Sequence, residues 1–197
     1  MPTWDDVLAV SGFSSAKVRR VLNAAVRAVP HARILEVGSY LGSTAVAMCH
    51  ENHVDSIHMV DNHSEFGRTD AYLRATCERF GMPAVIHDLD WFSPLPANVF
   101  GGELFDVYLY DGPHEEERHA EELAIAWPHL ADSFVYIVDD YSWEKVRRGC
   151  DAGIAAMGDR VTVITKDMYP SESINDLSGY WNGLLVAWCV KRKSNAR

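Results

Sequence analysis

The feature that most restricts the fold is a regular alternation of short apolar runs with helix-patterned segments. The runs RILEVG (33–38), SIHMVDN (56–62), PAVIHD (83–88), FDVYLYDG (105–112) and FVYIVDDY (134–141) read as buried strands. Between them, residues 39–51, 69–81, 115–130 and 143–158 read as helices, as does 15–29 before the first strand. In 15–29, Val18, Val21, Leu22, Ala25 and Val29 recur on one face, with Ser14 or Ser15 as the cap. Gly81 is placed to end its helix, and the acids of 115–117 suit a helix N-terminus. Strands alternating with helices imply a doubly wound, mostly parallel sheet with helices on both faces. The last two runs, RVTVITK (160–166) and WNGLLVAWCVK (181–191), have no helix between them, which predicts an antiparallel strand at one edge. The 197 residues form one domain on this reading, with a helical N-terminal segment of about 1–30 and a core of 31–197.

Charge and composition narrow the partners. The formal net charge is −10, and the only basic cluster is Lys191, Arg192, Lys193 and Arg197 in the tail. A phosphate-backbone binder needs a basic stripe, so a small molecule is expected rather than nucleic acid. No apolar run approaches the ~20 residues of a membrane span, and the acidic start MPTWDDVLAV is unlike a secretory leader. Cys49, Cys77, Cys150 and Cys189 are scattered, without the spacing of a zinc site or disulfide framework; reduced thiols in a cytoplasm are expected.

The first strand runs into a glycine loop, ILEVGSYLGST (34–44). Glycine permits a tight turn and close backbone approach to a ligand. The dinucleotide pattern is excluded by Tyr40 at the second glycine position, and no Gly-Lys-Ser/Thr follows for a P-loop. Glu36 precedes the loop, and Asp61 closes the next strand, where an acid can accept both hydroxyls of a ribose. Glu36, Gly38, Gly42 and Asp61 in this order resemble the class I S-adenosylmethionine (SAM)-dependent methyltransferases, which have a Rossmann-like sheet. That resemblance implies SAM as cofactor, with Glu36, Gly38, Gly42 and Asp61 around its methionine and ribose parts. Ser39, Ser43 or Thr44 would add hydroxyl contacts, and Asp111 would complete the set. An acid after strand three would meet the adenine; Asp88 and Asp90 both qualify, and Trp91 or Phe92 could stack on the ring. His63 is placed near the cofactor mouth.

Glu36, Asp61, Asp88, Asp111, Asp139 and Asp140 all fall near strand carboxyl ends, the edge where such sheets bind ligands. Adjacent strands lie ~4.8 Å apart, so Asp111 would come within reach of Asp139 and Asp140 if strands four and five are neighbours. Crowded carboxylates repel, and a hard divalent cation (Mg²⁺, Mn²⁺ or Ca²⁺) would relieve them. Asp-Gly-x-His after strand four (Asp111 to His114) and paired acids after strand five resemble the metal-dependent O-methyltransferases of the macrolide-sugar type. That resemblance, spanning about residues 30–141, implies Mg²⁺ on Asp111, Asp139 and Asp140, His114 as general base, a hydroxylated small-molecule acceptor, and self-association into a homo-oligomer. Tyr141, Trp143, Tyr169, Tyr180 and Trp181 would wall the acceptor pocket, with Asn182 as a polar contact. Two alternatives stay open: a metal-independent SAM methyltransferase, and a SAM- or nucleotide-binding module without catalysis.

Overall fold

A computed structural model describes residues 2–67 and 69–192. Its elements are α1 (Trp4–Leu8), α2 (Ala16–Arg27), β1 (Ala32–Val37), α3 (Ser43–Cys49), β2 (Val54–Asp61), α4 (Asp70–Phe80) and β3 (Ala84–Asp88). There follow β4 (Phe105–Tyr110), α5 (Glu116–Ala126), β5 (Leu130–Asp139), α6 (Glu144–Met157), β6 (Val161–Tyr169) and β7 (Leu184–Lys191). One seven-stranded sheet has the order β3-β2-β1-β4-β5-β7-β6. The first five strands are parallel, and β7 runs antiparallel to both β5 and β6. The antiparallel strand thus lies one place inside the edge, with β6 outermost. The Lys193 and Arg197 of the basic tail lie outside the described residues.

Alternation along the strands builds two cores. Leu35, Val37, Tyr108, Tyr110, Tyr136 and Val138 pack with α5 and α6 residues such as Leu123, Val146 and Cys150. Ile34, Val107, Leu109, Val135 and Ile137 pack on the other face with Leu22, Met48 and Leu73 of α2, α3 and α4. Both faces are covered, which is why these strands read as continuous apolar runs.

Three local features were less visible in the sequence. The two glycines inside α6 are a packing requirement: a Cβ on Gly149 would stand 2.3 Å from the Glu116 carbonyl oxygen, and one on Gly153 3.0 Å from that of Ala120. They let α5 and α6 approach closely. The short helix α1 is started by a capping box in which Thr3 and Asp6 bond reciprocally. The segment after α1 is held by Arg19, a buried guanidinium on α2 that donates to the carbonyls of Val7 (3.0 Å) and Val10 (2.9 Å) and to Ser14 Oγ (2.9 Å). Ser15, not Ser14, caps α2.

Candidate active site

The order of strands reverses direction between β1 and β4, since β1 leads outward to β2 and β3 while β4 leads to β5. The loops leaving these two strands diverge and open a cleft at their carboxyl ends. Gly38 sits at the apex with φ +89°, and a Cβ there would lie 1.9 Å from the Asp111 carbonyl oxygen. Its amide donates to Val60 O (2.9 Å) while Asp111 N donates to Val37 O (2.8 Å), so the tips of β2, β1 and β4 are tied together at this glycine.

Gly42 also has positive φ, but it faces inward. It is the N-cap of α3, and its missing Cβ makes room for Leu73. Glu36 is fully buried beneath the loop, where one oxygen accepts from Thr44 Oγ1 and Oε2 has no partner among the described residues. Burial raises its pKa to about 7, against the lowering effect of the Thr44 bond. Gly42 and Glu36 therefore shape the loop from below; neither lines the cleft. Ser39, Ser43 and Thr44 do line it. Ser39 Oγ is buried without a hydrogen-bond partner among the described residues, and Ser43 Oγ lies 3.5 Å from Ser14 Oγ.

Asp61 stands on the opposite lip, its Oδ2 accepting from Tyr40 N and its Oδ1 from His63 N, both at 2.7 Å. Each carboxylate oxygen has a second lone pair, so two hydroxyls can still be accepted. Tyr40 holds φ +46°, the left-handed conformation for which a dinucleotide loop would use glycine. His63 is buried on the cleft wall and bonds Thr69 Oγ1 through Nδ1 (3.0 Å). Of the two candidate acids after β3, Asp90 lines the cleft together with Leu89, Trp91 and Phe92. Asp88 is exposed at the tip of β3, in register with Asp61, and lies outside the lining.

The far end of the cleft is acidic. Asp111, His114, Asp139 and Asp140 all line it. Neighbouring β4 and β5 bring Asp111 beside Asp139 and Asp140, as the spacing predicts. Burial, reinforced by Asp139, Asp140, Glu36 and Asp61, holds the Asp111 carboxyl well above the usual carboxylate range. Asp139 is shifted the same way by burial and then by Asp140. Asp140 has φ +55°, so the chain turns sharply after β5 and brings its carboxylate towards the β4 loop. His114 Nε2 lies 2.7 Å from Asp140 Oδ2 and 4.0 Å from Asp111 Oδ1. Asp111, His114 and Asp140 can each offer one ligand atom, all within 4.8 Å of one another; Asp139 is not in that group. Gly112 and Pro113 set the loop: a Cβ on Gly112 would press on the Tyr110 ring, whose hydroxyl donates to Pro113 O (2.9 Å).

The aromatic residues expected around the acceptor divide. Trp181 lines the cleft, and Trp143 packs edge-on against His114. Tyr141 bonds Asp151 instead, and Tyr169 and Tyr180 pack on each other. Asn182 serves its own loop, with Oδ1 accepting from Asn175 N (2.7 Å). A further aromatic group is not legible in the sequence. Phe13, Tyr40 and Phe66 converge at the mouth, with ring centroids 5.0–5.1 Å apart, and Phe13 and Phe66 are each about half exposed. They come from three separate segments, so no local pattern joins them.

Solved structures with the same fold include an O-methyltransferase from Bacillus cereus in complex with SAH, with TM-score 0.66, 15% identity, and coverage of 98% of this chain and 93% of that one. TomG, an O-methyltransferase from Streptomyces achromogenes in complex with SAM, has TM-score 0.63 and 16% identity over 94% of this chain and 82% of its own. NodS, an N-methyltransferase from Bradyrhizobium japonicum in complex with S-adenosyl-L-homocysteine, has TM-score 0.62 and 15% identity over 94% and 91%. No curated protein matches the sequence. A family model described as a methyltransferase domain matches residues 35–141, from the middle of β1 to the turn after β5, and the chain therefore belongs to that methyltransferase family.

Proposed function

We propose that this protein is a SAM-dependent methyltransferase acting on a hydroxyl group of a small molecule, with a divalent cation at the acidic end of its cleft. The observation that carries the reading is the continuity of the cleft. The glycine apex, Asp61 and the Leu89–Phe92 wall lie at one end, and the carboxylates and His114 at the other. The residues fit a SAM molecule: Gly38 lets the tips of β1 and β4 meet at the apex of the cleft, Asp61 keeps spare acceptor capacity for a ribose, and Ser39 Oγ is buried without a hydrogen-bond partner among the described residues. They also fit a cation, because Asp140 Oδ1, beside Asp111, is buried and unpartnered among the described residues. Buried carboxylate oxygens left in this state are costly unless a positive group meets them.

When bound, SAM supplies an electrophilic methyl on a sulfonium, and the acceptor oxygen forms its bond to that carbon as the carbon–sulfur pair returns to sulfur. The chain's own part is to orient both reactants and to manage charge. Asp111 and Asp140 line the acidic end and would hold a cation there. Asp139 Oδ1 and His114 Nε2, both on the wall and without a hydrogen bond among the described residues, are the groups we assign to take the acceptor's proton. The net charge of −10 and a cleft lining without Lys or Arg among the described residues favour a small acceptor over a nucleic acid. Of the two acids after β3 we assign Asp90 to the adenine, because it lines the cleft. Isothermal titration with SAM and SAH, followed by transfer of labelled methyl to a panel of phenols, sugars and amines, tests the reading. Binding with transfer to hydroxyls is the expected result. Failure to bind either compound overturns it, and transfer confined to amines overturns the hydroxyl assignment.

A further inference from the structure

We infer that His114 is a metal ligand, so that the cation site is the mixed set Asp111–His114–Asp140 and selects a first-row transition ion over Mg²⁺ or Ca²⁺. The inference rests on the reading of the acidic end as a cation site and changes both its membership and its preference. The three aspartates of the sequence pattern would make an all-oxygen set, suited to a hard ion. The side chains that actually converge are two carboxylates and one imidazole.

The position of the imidazole carries the argument. Nε2 lies 2.7 Å from Asp140 Oδ2, well inside hydrogen-bond distance, yet it makes no hydrogen bond. The carboxylate is therefore off the Nε2 axis, and the nitrogen is aimed at some other point. An imidazole merely oriented by an aspartate would point its N–H along the bond. The spacings suit a shared ion instead. With metal–ligand bonds of about 2.1 Å, two ligand atoms on one ion lie roughly 3 Å apart when adjacent and roughly 4 Å apart when opposite. Here Nε2 is 2.7 Å from Asp140 Oδ2 and 4.0 Å from Asp111 Oδ1.

A second observation points the same way. Asp140 is 5% exposed, and its other oxygen, Oδ1, is buried without a partner among the described residues. Asp139, one residue earlier, stays in the strand, in register with Leu184, and does not reach the group. An imidazole nitrogen among the ligands shifts preference towards Mn²⁺, Fe²⁺, Co²⁺ or Zn²⁺. It also removes His114 from the groups free to take a proton.

Mn²⁺ is the probe. Metal-free protein with SAH is titrated with Mn²⁺, and pulsed electron paramagnetic resonance of the bound ion reads directly bonded nitrogen. The expected result is an imidazole ¹⁴N coupling in the wild type, absent in His114→Ala. That variant should also lose at least about 10–100-fold in Mn²⁺ affinity, the loss typical of an outer-shell partner alone, while Asp139→Asn stays within a few fold of wild type. Mg²⁺ should displace Mn²⁺ only at large molar excess. Circular dichroism checks that the variants fold, and the wild-type spectrum decides the point even if His114→Ala does not. Bound Mn²⁺ without nitrogen coupling overturns the inference and leaves the cation site standing. No Mn²⁺ binding, with SAH still bound, overturns the cation site and the inference together but not the methyltransferase reading.

Discussion

Replacing Gly38 with alanine separates backbone strain from steric conflict, because two other glycines provide controls. Gly81, Gly42 and Gly38 all have positive φ, at +60°, +85° and +89°. Alanine in that region costs ~1–2 kcal/mol whatever its surroundings. At Gly81 a Cβ meets nothing within 4 Å, so Gly81→Ala should lose only this amount. At Gly42 the nearest atom is Leu73 Cδ1 at 3.0 Å, the end of a flexible side chain. A small shift there adds up to ~1 kcal/mol. At Gly38 the obstacle is the Asp111 carbonyl oxygen at 1.9 Å, with its carbon at 2.4 Å. Backbone at that distance has no rotamer to change, so the tips of β1 and β4 must separate. The Asp111 N to Val37 O bond then weakens, at ~0.5–1.5 kcal/mol, and overpacking adds ~1–3 kcal/mol. Gly38→Ala should therefore lose roughly 3–6 kcal/mol, a large part of the 5–15 kcal/mol typical of a domain. Urea unfolding of the three variants gives the ranking, and SAM titration of any that fold gives the consequence for the cleft. A Gly38→Ala protein as stable as Gly81→Ala, binding SAM with unchanged affinity, would refute the claim that close approach of β4 demands this glycine.

Further perturbations address separate parts of the fold. Glu36, with a pKa of about 7, and Glu122, pushed by burial to about 8, both stay protonated in the folded protein where the unfolded chain has ionised. A raised carboxyl pKa gives stability present below the unfolded value near 4.5 and lost as pH rises through the folded value. Glu36→Gln should thus flatten the decline between pH 4.5 and 7, a span worth up to ~3 kcal/mol, in urea midpoints measured across that range; an unchanged slope counts against the burial argument. Phe66→Ala removes a half-exposed ring from the cleft mouth and should weaken SAM binding by ~0.5–1.5 kcal/mol in titration while leaving the melting temperature nearly unchanged; unaltered affinity would exclude that ring from the cofactor site. Arg19→Met keeps the stem of the side chain but removes the guanidinium bonds to the carbonyls of Val7 and Val10. Hydrogen exchange should then rise over residues 4–14 and not in β1 or β4; uniform protection would show that this guanidinium does not hold the segment.

How much of this molecule its sequence discloses depends on the range of the interaction involved. Strand and helix positions are legible because the sheet has two apolar faces, and a buried strand such as FVYIVDDY carries its own signal. β4 and β5 are neighbours in the sheet, so the grouping of Asp111 with Asp139 and Asp140, which in the sequence depends on that adjacency, has its condition met. Contacts between distant segments leave no such trace. Nothing local about Phe13 or Phe66 marks a cleft mouth, and Arg19 reads as an ordinary helix arginine until its carbonyl partners are seen. The difference between Asp139 and Asp140 is subtler still. Neighbouring residues of one type look equivalent in sequence, yet one continues a strand and the other turns left-handed, so only the second swings towards His114. That turn is fixed by tertiary bonds: Tyr141 N and Ser142 N donate to the carbonyls of Gly183 and Asn182, on the segment leading into β7. The composition of the candidate metal site is thus decided some forty residues further along the chain than the aspartates themselves, by the antiparallel strand that covers the open side of β5.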